Sequence, residues 1–195
     1  MPPSLSRRSL FAGAAGALAA PGQGRAASDR LTISSDHGTI DFAIGDSRVF
    51  RTTGGFKKWQ GTVRVDDADV GKSSVKVTID TRSIEMLDPQ QTAMLRGADF
   101  FDVEKFPQMV FTSTKVERTG ETTLKVVGDL LLRGISHPMT LDVSVTDRNP
   151  DAPPGKRYAI FKAEGSMKRS EYGMTKYIDV VGDTVDITIR TDALR

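Results

Sequence analysis

A chain of 195 residues, 38% hydrophobic and 27% charged, has the makeup of one soluble globular domain with enough length to bury a substantial core. Cysteine is absent, which excludes a disulfide frame, a thiolate nucleophile and a zinc–thiolate site. The formal net charge is +2, but the first 27 residues hold three arginines and no acid, so the remainder carries 24 basic and 25 acidic side chains. A body so near neutrality gives no reason to expect nucleic acid or an anionic membrane surface as partner.

The N-terminus reads as an address. Ser6-Arg7-Arg8-Ser9-Leu10-Phe11 sets paired arginines before a mild apolar run, Leu10 to Ala20, with small residues at Ala19 and Ala26–Ala27 where cleavage is expected. Charged, apolar and small residues in that order make a secretory signal, and the adjacent arginines point to the twin-arginine route. The apolar run is about half of the roughly 20 residues that span a bilayer. Residues 1–27 therefore read as a signal peptide and 28–195 as a mature domain expected in the periplasm.

From Leu31 onward, alternating segments are broken by turn residues. Thr39 to Ile44 puts Ile40, Phe42 and Ile44 on one face, and Gly45-Asp46-Ser47 is a turn signal. Gly54-Gly55 precedes a run from Phe56 to Val65, and Asp66 to Gly71 reads as a loop. Ser74 to Asp80 has the cleanest strand pattern, with Val75, Val77 and Ile79 inward. Pro89 to Arg96 is the one convincing helix: Asp88 is a cap, Pro89 takes the first position and Gly97 ends it. Further strands are expected over Met109–Glu117, Thr122–Leu132, Met139–Thr146, Arg157–Met167 and Thr184–Arg190.

Leu95 to Thr114 (LRGADFFDVEKFPQMVFTST) holds four of the nine phenylalanines. Pro107 is excluded from an interior strand position and pushes Phe106 extended, so a strand is expected to start just after it. The aromatic cluster reads as a plug at one end of a β-structure, or as the lining of a cavity mouth. Eight or nine short strands with one helical insertion and no long alternating helices make an all-β fold. One-sided alternation calls for antiparallel sheet with one wet face, closed or stacked to manage its edges, hence a barrel or a sandwich.

Little in the chain announces chemistry. His37 and His137 lie a hundred residues apart on unrelated segments, with no HxH or HExxH spacing. Asp99, Asp102 and Glu104 form an acidic trio beside the aromatic cluster, read first as solvated loop carboxylates. Lys168-Arg169-Ser170-Glu171-Tyr172-Gly173-Met174 is a basic loop with an aromatic, either a solvated hairpin end or a rim that meets a polar head group or a partner. There is no GxSxG, no P-loop and no dinucleotide glycine pattern, which favours a binder over an enzyme.

Several segments together resemble the YceI family of bacterial periplasmic, lipocalin-like proteins. They are Gly55-Phe56 with Gly61 and Val65-Asp66, Ser74 to Asp80, Ser83-Ile84, Leu95 to Asp102 (LRGADFFD), Phe106-Pro107 and Phe111 to Thr114. Gly128 to Ile135 (GDLLLRGI), Lys168 to Met174 (KRSEYGM) and Gly182-Asp183 follow, so the likeness covers about Leu31 to Ala193. Family members often carry a His-Ser pair near the first strand and a second histidine soon after. Here His37-Gly38 and Gly45-Asp46 stand at those places, so no histidine role is carried over.

The resemblance implies an eight-stranded antiparallel lipocalin-like barrel with a short helix near one end. It implies an apolar tunnel for a polyprenyl quinone or another long-chain lipid, with no resident cofactor other than such a bound quinone. A tail of that kind offers only apolar area, at roughly 25 cal/mol per Å² removed from water. The inward residues expected to line the tunnel are Phe42, Ile44, Phe56, Trp59, Val63, Val77, Ile79, Leu95, Phe100, Phe101, Phe106, Phe111, Leu130, Leu132, Phe161 and Met167. Three other readings stay open: a fatty-acid or lipid-amide binder, a redox accessory of a membrane cytochrome, and a filled barrel acting through its surface, as a homodimer for example.

Overall fold

Period-two alternation places the strands, and their pairing closes them into a barrel. The structure is a computed structural model that describes residues 29–45 and 51–195; the expected signal peptide over 1–27 and the turn at Asp46-Ser47 lie outside the described residues. The strands are β1 (Asp29–Ser34), β2 (Gly38–Ile44), β3 (Thr52–Phe56), β4 (Trp59–Val65), β5 (Ser74–Asp80), β6 (Ile84–Met86), β7 (Gln108–Arg118), β8 (Thr123–Leu132), β9 (Ile135–Thr146), β10 (Arg157–Lys168) and β11 (Thr184–Leu194). Helix α1 spans Pro89–Arg96 and a one-turn helix α2 spans Ile178–Val181.

These eleven segments make eight staves. β1 pairs with β4 while β2 pairs with β3, so β1–β2 and β3–β4 are two bent strands lying antiparallel along their whole length. β5–β6 is bent in the same way, with β5 on β4 and β6 on β3. From there β7 to β11 follow in meander order, and β11 closes the ring on β2 and, through Leu194, on β1. The three bends lie side by side and are stitched to one another: Ser35 N–H donates to Trp59 O (3.0 Å), Asp80 N–H to Lys58 O (3.0 Å), and Lys57 N–H to Ser83 O (3.1 Å). Closure removes the free edges that an open antiparallel sheet would expose.

Three expectations need correction. The run Phe56 to Val65 is broken at Lys57-Lys58 by the bend, and Gly54-Gly55 lies inside β3. A Cβ at Gly54 would stand 2.5 Å from the Phe42 ring, so glycine is what lets that ring lie across β3. β9 starts at Ile135 instead of Met139, with Pro138 inside it opposite Asp129 of β8. Proline is tolerated there because β10 joins β9 only from Leu141 on, which leaves Pro138 on a local edge. The second helix, α2, follows from Tyr177 in a left-handed backbone (φ 58°) and carries no side-chain cap to announce it.

The core fills the barrel's interior. Leu31, Ile40, Phe56, Val77, Phe111, Leu130 and Leu141 are buried, and Phe42, Val63, Val143, Phe161 and Ile189 pack against them. At one end, which we call the helix end, β6 does not reach β7, and α1 with the aromatic segment after it occupies the gap.

Candidate ligand-binding cavity

The inward faces do not meet at the axis. They leave a cavity of about 560 Å³ that runs the length of the barrel, from Thr52, Met86 and Met167 at the helix end to Thr122, Arg148 and Tyr158 at the other. Its middle is hydrocarbon: Val63, Val77, Ile79, Phe111, Leu130 and Ala163 among others. Polar residues gather at the two ends.

The helix end is built from three segments. Asp88 accepts from Gln90 N–H (2.8 Å), Pro89 opens α1 and Gly97 N–H returns to Met94 O (3.1 Å), so the helix stops as its sequence foretold. α1 presents Gln91, Met94 and Leu95 to the cavity. The chain after it coils tightly, with Phe101 N–H to Leu95 O (3.0 Å) and Phe106 N–H to Asp102 O (2.8 Å), and this turns Phe100 and Phe101 inward. Phe101 meets Phe56 edge-on at 5.6 Å, and Phe56 meets Phe42 at 5.8 Å, so three rings run from the plug to the wall. Arg133, held at φ 53° in the β8–β9 turn, donates to the carbonyls of Ala98 and Phe100 and pins the plug from outside.

The third segment is the loop from Arg169 to Asp183. Arg169 is buried and spends its guanidinium on backbone: Nε donates to Gly182 O (2.9 Å), and Nη1 to Met174 O (3.0 Å) and Lys176 O (2.8 Å). Burial holds its pKa below the ordinary arginine value, with the Asp183 charge opposing. Burial alone would raise the Asp183 carboxyl, but it accepts from Ser170 N–H (2.9 Å) and Ser170 Oγ (2.8 Å), and its pKa lies below the usual carboxylate value. Lys176 pairs with Asp99, joining this loop to the aromatic plug.

Tyr172, fully buried beside the His137 ring (5.3 Å, edge-on), has its phenol pushed up to about 12 by burial, with Glu171 adding to the shift. A raised folded pKa means that the stabilisation is whole below the unfolded value of 10.0 and is lost as pH rises toward 12, because the unfolded tyrosine ionises first. Urea midpoints taken at stepped alkaline pH are therefore expected to fall over that window. Tyr172→Phe is expected to remove most of the slope, leaving the smaller part due to Tyr158, which burial also raises.

At the far end, Arg148 is neutralised by Asp67 (2.5 Å) and donates to Tyr158 Oη (2.9 Å). Deep in the wall, Trp59 has its indole Nε1 sealed from solvent with no hydrogen-bond partner, alone in this among the described residues. It is the single tryptophan of the chain.

Of the residues expected to line the tunnel, all but Phe106 and Leu132 stand in this wall. Phe106 turns away because Pro107 leads it out of the coil, and its ring lies over Gly134 with Lys105 Nζ 5.2 Å from the centroid. Leu132 is fully buried in the core beside the β8–β9 turn but does not reach the void. Sequence reasoning passed over Ile33, Met109, Leu141, Ala163, Ile187 and Arg169, which also line it. Only closure decides which inward residues face empty space.

The YceI-like domain model matches residues 31–193. Protein YceI of Salmonella newport (strain SL254) is 31% identical over 174 residues, 89% of this chain and 90% of that protein. Among solved structures, BcnA of Burkholderia cenocepacia superposes with a TM-score of 0.71 at 25% identity, covering 84% of this chain and 99% of BcnA. A polyisoprenoid-binding domain from Saccharophagus degradans, implicated in plant cell wall breakdown, superposes at 0.61 and 12% identity, over 85% and 97% of the two chains, a likeness of fold alone. An eight-stave barrel with an end-to-end apolar cavity, matched over nearly all its described length, places this chain in the YceI-like domain family.

Proposed function

We propose that the domain binds one long-chain lipid, a polyisoprenoid quinone, and carries it through the periplasm after export of the chain by its N-terminal signal. The continuous apolar cavity carries this reading: its volume lies within the range of ligand sites, and its hydrocarbon middle suits a tail that asks for no charged partner. Met109, Met139 and Met167 in the wall supply flexible surface for an irregular chain. The polyisoprenoid binding of the Saccharophagus domain adds support by analogy of fold. The reading is of a binder and not an enzyme, since the wall offers packing surface and its buried arginine is committed to backbone carbonyls.

The test is native mass spectrometry of protein recovered from a bacterial periplasm, followed by organic extraction and lipid identification. A retained mass matching a polyprenyl quinone is the expected result. Trp59 gives a second readout, because a quinone seated against it is expected to quench its fluorescence. A protein that emerges empty, and whose Trp59 emission is unchanged by an added short-tail quinone, would overturn the reading. A fatty acid or lipid amide in the extract would keep the carrier and replace the ligand.

A further inference from the structure

Large hydrophobic side chains left exposed are distributed unevenly over this barrel. Among the described residues they are Leu87, Met94, Leu131, Ile135, Tyr177 and Val180. All six belong to the helix end. Leu87 and Met94 stand before and on α1, Leu131 and Ile135 flank the β8–β9 turn that pins the aromatic plug, and Tyr177 and Val180 belong to the loop tied to that plug by Lys176–Asp99. Leu87 is 100% exposed and Val180 83%, so among the described residues these are protruding tips with nothing over them. Met94 and Tyr177 also line the cavity, which makes the exposed apolar rim continuous with the interior.

We propose that the helix end is a docking face for a phospholipid bilayer, with Leu87, Tyr177 and Val180 entering the head-group layer and the cavity mouth set against the membrane from which a lipid is loaded or to which it is delivered. This rests on the lipid-binding reading above. Separate tips on three segments suit a fluid bilayer better than the flat, packed surface a protein partner would need, and a half-exposed tyrosine is amphipathic in the way an interface requires. Lys176 pairs with Asp99 and Arg51 with Asp186 (2.8 Å), and the charged neighbours of the two most exposed tips are the exposed carboxylates Asp88 and Asp179, which an anionic surface does not attract. Docking is therefore driven by apolar insertion, and it agrees with a near-neutral body that gives no electrostatic attraction to a membrane.

The experiment is co-sedimentation of the mature protein with vesicles of phosphatidylcholine and phosphatidylglycerol, at low and high salt. Binding that changes little with salt is expected. Leu87→Asp and Val180→Asp are each expected to weaken partitioning about tenfold, while Thr119→Asp, in the turn at the opposite end, leaves it unchanged. Leu87 and Val180 touch no core, so their variants test the surface without testing the fold. Absence of vesicle binding, binding abolished by salt, or binding indifferent to both rim variants would each overturn the docking face. Trp59 quenching by a short-tail quinone in vesicle-free solution is read in parallel. If it persists while vesicle binding is absent, the docking face fails and the lipid cavity stands; loss of the quenching as well removes the lipid reading on which the proposal rests.

Discussion

Ala163→Phe is expected to abolish lipid retention without weakening the empty domain. Ala163 is 7% exposed, lies mid-way along β10 between Val143 of β9 and Ile189 of β11, and faces the cavity. A phenyl ring there enters existing space, and filling a void in this way commonly adds about 0.5–2 kcal/mol of stability. It also interrupts the path from one end of the cavity to the other, so a long tail loses the room to lie along the axis. The two readouts move apart, which a merely damaged fold cannot imitate. Native mass spectrometry would show lost occupancy while the urea midpoint holds or rises. Wild-type occupancy in this variant would mean that the chain never passes Ala163, and a midpoint lowered by overpacking would mean that the wall around β10 has no slack.

Phe101→Asp is expected to lose both the ligand and a large share of stability. From the sequence alone the residue reads as a mouth position where a charge would spare the fold. Its place in the structure changes that expectation: Phe101 is 8% exposed, edge-on to Phe56, and seated in the coil that α1 and Arg133 hold shut. Truncating a buried phenylalanine costs about 3–5 kcal/mol, and a carboxylate in its place adds an unpaired buried charge unless the plug swings open. Lipid per protein should fall more than tenfold, with the urea midpoint falling alongside. Phe101→Leu keeps the apolar contact and is expected to retain most of both. Full occupancy in Phe101→Asp would show that the plug does not bound the ligand.

The polar features of the helix end have structural assignments that narrow what the site can do. The acidic trio Asp99, Asp102 and Glu104 does not converge on a reaction centre: Asp99 pairs with Lys176, and Asp102 turns the coil in a left-handed backbone (φ 46°). The basic loop Lys168–Met174 is less a rim than a staple, because Arg169 buries its charge to gather three carbonyls of its own loop. His137 is half-buried within β9 with Nε2 3.1 Å from Glu171 O.

Alternation was enough for the longer strands such as β2, β5, β7, β8, β10 and β11, because a strand's period of two gives a one-sided pattern, but β3, with its two glycines, and the three-residue β6 left no such pattern to read. The bounds of β5 and of α1 were legible to the residue, since Ser74–Asp80 alternates without interruption and Asp88, Pro89 and Gly97 are local signals that act through nearby backbone. The near-neutral body and the apolar character of the interior are likewise properties of composition. What pattern could not decide is whether the interior is filled. That depends on the barrel's circumference, set by the closure of β11 on β1 and β2, and on three aligned bends whose hydrogen bonds join residues far apart in the chain. Phe100 and Phe106 look alike in sequence, but the coil after α1 turns one into the void and Pro107 carries the other outside. Arg169 reads as one more loop cation until the fold brings Gly182, Met174 and Lys176 around it. Local chemistry determined most of the elements; only long-range contact decided the space they enclose.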